Sequence, residues 1–197
     1  MTCIMDDVKW EVEMRYPAAE TAKKHERILD EAARLFREKG FSGVSVGEIM
    51  KATGLTHGPF YNHFESKEEL MAESVLHGFK ATMEGLDSLP DTAKGWSDYV
   101  KSYLSVAHRD ASGSGCTMAG LAAEVRHEPQ VRGVFTDRLK AVVEKMATRF
   151  LRGSKKAARG DAIRTLSSMV GAMILARAVE DEAFSEEILS EVRKGLV

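Results

Sequence analysis

Between Lys51 and Phe64 the chain carries no carboxylate, yet Lys51, Thr56, His57, Tyr61, Asn62 and His63 in that window all offer hydrogen-bond donors. Such a surface suits a polyanion, because an acid placed there would be repelled by phosphate. Thr56 and His57 stand where a helix would begin, and free backbone N–H groups with the helix dipole favour an anion at that point. Lys67, at the head of the following helix, offers the same. Asn can pair bidentately with adenine, so His57, Gly58 and Asn62 are the candidates for base edges. Gly58 has no side chain, and its use would be close backbone approach.

Short helical patterns must position these groups. Ser45 with Glu48 reads as a capping box, in which the hydroxyl accepts from an exposed N–H and the carboxylate reaches back. Val46, Ile49 and Met50 then form one apolar stripe at helical spacing. Gly54 suits the positive φ that ends a helix, Thr56 is the next N-cap candidate, and Pro59 falls in a first turn, where its missing N–H costs little. Phe60 and Phe64, at i and i+4, share an inward face, and Ser66 with Glu69 reads as a second capping box. Helix, tight turn, helix is the layout whose second helix enters a DNA major groove. Upstream, a helix from about Thr21 to Lys39 buries Ile28, Leu29, Ala32, Ala33, Leu35 and Phe36 and stops at Gly40, with Phe41 turning back onto the core.

The run ILDEAARLFREKGFSGVSVGEIMKATGLTHGPFYNHFESKEEL, about a quarter of the chain, resembles the DNA-binding domain of TetR/AcrR transcriptional regulators. That resemblance implies phosphate contacts from Ser45, Thr56, Tyr61, His63 and Lys67, and base contacts from the early recognition helix. Pro59 departs from the family pattern, where many members carry Thr or another small residue. The resemblance also implies a near-palindromic double-stranded operator, a homodimer, and a small apolar or amphipathic effector that releases a repressor from DNA.

Size and composition set limits. The 197 residues are 44% hydrophobic, without an apolar run of membrane-spanning length, and Asp6 and Asp7 stand where a secretory signal would be apolar. A cytoplasmic protein without cofactor is expected. Cys3 and Cys116 supply neither a disulfide framework nor a zinc site. Net charge is −2, and acids slightly outnumber bases between residues 20 and 70. Affinity for DNA must then come from geometry and paired subunits, with weak non-specific binding.

The remaining chain reads as all-α: an N-terminal three-helix helix-turn-helix domain plus a C-terminal helical ligand-binding and dimerisation domain. Residues 1–19 read as an extended or disordered arm, 20–66 as the DNA-binding unit, and 67–197 as the effector-binding and dimerisation body. A long helix from Ser66 to about Leu86 carries Leu70, Val75, Leu76 and Phe79. Leu89-Pro90-Asp91 starts another, carrying Trp96, Tyr99, Val100, Tyr103, Leu104 and Val106. Residues 110–115 read as a flexible loop, followed by a short helix of small residues from Cys116 to Glu124 and a long one from Pro129 to Phe150. Arg149, Arg152, Lys155, Lys156 and Arg159 read as a solvated interhelix cluster. The last helices span about Asp161–Val179 and Ser185–Gly195. Their Met169, Gly171, Met173, Ile188, Leu189 and Val192 are the expected dimer interface, packed as a four-helix bundle as the resemblance implies. An effector pocket is expected among Met83, Trp96, Tyr99, Tyr103, Cys116, Met118, Phe135, Met146 and Met173, since ligand sites are mostly apolar and Met adapts to irregular shapes. Cys116 is most plainly a buried, inert thiol. The alternatives are a redox or electrophile switch at that thiol and a helical dimer acting through protein partners. No triad order, carboxylate pair or metal spacing supports an enzyme.

Overall fold

A computed structural model of the chain describes residues 18–150 and 154–197, and all regular structure within them is helical. The extended arm expected over residues 1–19, Cys3 and Arg152 lie wholly or mostly outside the described residues. Helix α1 (Ala18–Lys39) ends at Gly40, whose φ of 77° is the left-handed value expected of a C-terminal glycine cap. Helix α2 (Val46–Ala52) begins with the complete capping box: Glu48 N–H donates to Ser45 Oγ at 3.2 Å and Ser45 N–H donates to Glu48 Oε2 at 2.8 Å. Gly54, at φ 71°, ends the turn after it.

The second element of the expected pair is not an α-helix. Gly58–Asn62 forms a 3-10 turn opened by His57 without a side-chain cap, so Thr56 is not the N-cap. Gly58 weakens an α-helical start, and the buried Phe64 follows within one turn, so the segment is too short to propagate. Ser66 caps α3 (Lys67–Ser88) through Glu69 N–H, but the reciprocal half of the box is displaced by one residue: the Glu69 carboxylate accepts from Glu65 N–H.

The body follows as α4 (Ala93–Tyr103), α5 (Val106–Asp110), α6 (Thr117–Val125), α7 (Pro129–Arg149), α8 (Lys155–Ala178) and α9 (Glu182–Leu196). Val106 does not continue α4, because Ser105 accepts from His108 N–H and starts the separate helix α5. Residues 112–114 form a 3-10 turn rather than a free loop, and Arg37 Nε donates to Gly113 O at 2.7 Å. Arg149 is likewise not a solvated cation. It donates to the carbonyls of Leu86, Asp87 and Leu89, satisfying the C-terminal groups of α3 that no helix partner can reach. Helix α8 begins six residues earlier than expected because Ser154 caps it, and α9 begins at Glu182 because Asp181 accepts from Phe184 N–H. One continuous apolar core runs from Ile28 and Phe36 through Phe60, Phe64, Phe79 and Leu86 to Met146, Met169 and Leu189, so the two ends of the chain are packed through α3. Leu76, expected to be buried on that helix, is exposed.

Candidate nucleic-acid interface

Phe60 and Phe64 anchor the turn from beneath. Both are buried, with ring centroids 5.5 Å apart, and Phe60 O accepts from the N–H groups of His63 and Phe64. Arg27 on α1 donates to Thr53 O, fixing the turn between α2 and the 3-10 segment from the other side. Periodicity gave no hint of that role, because Arg27 sits on a face of α1 that reads simply as solvent-directed.

On this base Lys51, Thr56, His57, Gly58, Tyr61 and Asn62 all lie on the surface, with Tyr61 65% exposed and its ring 5.8 Å from His57 edge-on. An exposed large aromatic held against a neighbour is a poor solvent-facing choice and a good contact group. A Cβ added to Gly58 would meet nothing within 4 Å, so no packing inside the chain requires glycine there.

Three other expected contacts are partly committed elsewhere. The Lys67 ammonium donates to Phe41 O at 2.6 Å, Ser45 Oγ is engaged with Glu48, and His63 packs 5.8 Å from His25 and against Phe64. Burial, reinforced by His25, holds the His63 imidazole below its ordinary value, so near neutral pH it offers an N–H but no full charge. Glu48 is held below the usual carboxylate range by the backbone and hydroxyl of Ser45.

The expected effector residues do not form one pocket. Tyr99, Tyr103, Cys116 and Met118 line a cavity of about 300 Å³ together with Ala33 and Arg37 of α1 and His77 and Gly78 of α3. Met83 lies in a different groove with Leu29, Leu76 and Phe79, and Trp96 in another with Phe150. Met146 and Met173 are closed into the core, and Phe135 packs edge-on against Phe79 at 5.3 Å. Of the residues expected at a dimer interface, Met169, Met173 and Leu189 are buried within the single chain. The apolar surface of these helices is instead Ile163, Ile174 and Leu175 on α8 and Phe184 on α9. Sequence reading missed it because the C-terminal half of α8 carries apolar residues on more than one face, so its inner and outer stripes could not be told apart.

His108 bridges the cavity wall. Its Nδ1–H donates to Tyr103 O at 2.7 Å, which leaves Nε2 to accept the Cys116 N–H at 3.1 Å. Both bonds together require a neutral ring, and burial lowers the His108 pKa accordingly. Folded-state depression below an unfolded value of about 6.5 means stability that is present above that pH and lost as pH falls below it. Denaturant titrations at pH 7.5, 6.5 and 5.5 should show this loss in the parent. A His108→Asn variant should show a flatter profile, and an equally steep one would remove His108 as the cause.

The family model described as "Bacterial regulatory proteins, tetR family" matches residues 28–74. The transcriptional regulator UidR of Escherichia coli K12 is 30% identical over 138 residues, spanning 66% of each chain, so the match covers a little under two thirds of that relative. The transcriptional repressor KstR2 of Rhodococcus jostii is 42% identical over 66 residues, 32% of each chain. A TetR-family regulator from Agrobacterium tumefaciens superposes with a TM-score of 0.73 at 21% identity, over 89% of this chain and 98% of that one, which extends the shared fold through the body. No helix among the described residues is long and apolar enough to cross a membrane. Family match, relatives and shared architecture converge: the chain belongs to the TetR/AcrR family of bacterial transcriptional regulators.

Proposed function

We propose that the protein is a homodimeric, sequence-specific DNA-binding repressor, released from a near-palindromic operator by a small molecule. The observation that carries this reading is the acid-free surface from Lys51 to Asn62, raised on the buried Phe60–Phe64 pair, with an exposed Tyr61 and a glycine that the chain's own packing does not need. Residues 20–66 act as the reading unit and 67–197 as the control body, with α3 shared between them. Repression is favoured by the name of the Rhodococcus relative.

Two copies joined through Ile163, Gly171, Ile174, Leu175 and Phe184 form the dimer. Gly171 again lacks any internal neighbour that would forbid a side chain. Twofold symmetry then sets two recognition turns about 34–36 Å apart, the spacing of successive major grooves. Release works by shifting that separation, which requires an effector with unequal affinity for the two states.

The test is a gel shift with duplex DNA from upstream of the protein's own gene, compared with a scrambled duplex. Tyr61→Ala should weaken the complex about tenfold, equivalent to one charge-free contact group of about 1.4 kcal/mol. Lys51→Ala should weaken binding to both duplexes alike and lower the salt dependence by about one counterion. Parent-like binding by both variants would reject this surface as the interface.

A further inference from the structure

The cavity between α1, α3, α4 and α6 holds two polar groups without adequate partners. Tyr103 is 8% exposed, and its hydroxyl, which lines the cavity, meets only the Cys116 thiol, a weak hydrogen-bond partner. A buried hydroxyl with only a thiol to meet is costly, and natural folds retain few of them. Arg37 lines the same space. Its Nε and Nη2 donate to one neutral acceptor, Gly113 O, and among the described residues no carboxylate lies within ion-pair distance of it. Its Nη1 lies 3.4 Å from where a Cβ on Gly78 would stand, beside a second residue of the cavity wall. A half-buried guanidinium with a carbonyl as its main protein partner retains both charge and donors for an anion.

The other walls narrow the choice. Asp30 is the single acid on the lining, and it is paired with His77 at 2.8 Å and exposed to solvent. Thr82 Oγ1 already donates to Gly78 O at 3.1 Å. Ala33, Met118 and the Tyr99 ring supply apolar surface, and a volume of about 300 Å³ lies at the small end for ligand sites. Burial keeps the Tyr99 and Tyr103 phenols protonated, so Tyr103 remains a donor.

We propose that this cavity takes a compact carboxylate with an apolar body, its anionic group held by the Arg37 guanidinium and the Tyr103 hydroxyl. The inference rests on the effector-binding reading and specifies its ligand class. It also places the ligand against α1, the first helix of the reading unit, so occupancy acts at the junction of the two parts and not deep within the body.

Calorimetric titration of the full-length protein with benzoate and hexanoate, each against its uncharged amide, tests the inference. At least one acid should bind about tenfold or more tightly than its amide, as a charge-assisted bond requires. Tyr103→Phe should lower the acid's affinity about three- to tenfold, the value of one hydrogen bond, while leaving thermal stability at or above the parent's. Arg37→Gln should abolish the preference for acid over amide. Because it also removes the bond to Gly113, the tyrosine variant carries the decision if the arginine variant does not fold. Equal binding of acid and amide, no binding of either acid, or an unchanged Tyr103→Phe affinity would each overturn the assignment. Operator affinity is measured alongside. Acid binding that leaves operator affinity unchanged upholds the pocket and removes effector release, whereas release by the amides without acid binding removes the pocket's ligand class alone.

Discussion

Replacing Phe60 with Ala should destabilise the protein by about 3–5 kcal/mol and eliminate operator binding. Phe60 is fully buried, with ring contacts to Tyr61, Phe64 and His57 at centroid distances of 5.2, 5.5 and 6.4 Å. Its carbonyl accepts two of the few backbone hydrogen bonds that the 3-10 turn possesses. A five-residue turn cannot hold its own geometry, since helix nucleation is unfavourable at that length, so the ring beneath it supplies the order. Truncation therefore removes core contacts and also frees Thr56, His57, Tyr61 and Asn62 from a common orientation. Phe60→Leu keeps much of the volume and should cost less, about 1–2 kcal/mol, with measurable DNA binding retained. Urea unfolding followed by far-ultraviolet circular dichroism gives the stabilities, and a gel shift gives the binding. An alanine variant within about 1 kcal/mol of the parent would show that the turn is held by something other than this ring.

The legible features were those with local causes. Ser45 and Glu48 announce a cap because four consecutive residues suffice to make it, and Gly40 and Gly54 announce left-handed backbone for an equally local reason. Thr56 misled because cap chemistry was present without a helix long enough to use it. Lys67 and Arg149 looked like free cations, and both proved to serve carbonyls at distant sequence positions, Phe41 and Leu86–Leu89. No local pattern contains such a partner. Met83, Trp96, Phe135, Met146 and Met173 part from the cavity that Tyr99, Tyr103, Cys116 and Met118 line for the same kind of reason: hydrophobic type places a residue in the interior, but whether it borders a cavity depends on the rotation of helices about one another. Arg37 and His108 were not singled out at all, although each now stands on the cavity wall with a bond that the sequence gives no means of pairing.

Gly40→Ala should cost about 2–4 kcal/mol, and about half of that cost should vanish when Glu124 is also removed. The peptide of Phe41 is gripped from two directions. Its N–H donates to Glu124 Oε2 on α6 at 2.7 Å, and its carbonyl accepts from Lys67 Nζ on α3 at 2.6 Å. Gly40 lies directly against the first of these grips: a Cβ there would stand 2.3 Å from Glu124 Oε1, and φ is already 77°. Alanine would thus bear a left-handed strain of about 1–2 kcal/mol and would push away a carboxylate whose bond to a backbone N–H is charge-assisted. In a Glu124→Ala background only the strain remains, so the two substitutions should be strongly non-additive in a double-mutant cycle by urea denaturation. Additive costs would mean that the carboxylate moves aside freely and that the corner is not fixed from the body. Glu124 belongs to the helix that Cys116 opens, while Phe41 leads into the capped start of α2, so under the proposed effector-release reading this bond would carry a displacement at the cavity wall to α2. Glu124→Gln, which retains the shape and weakens the acceptor, should leave operator affinity near the parent value while reducing the difference between ligand-bound and free protein.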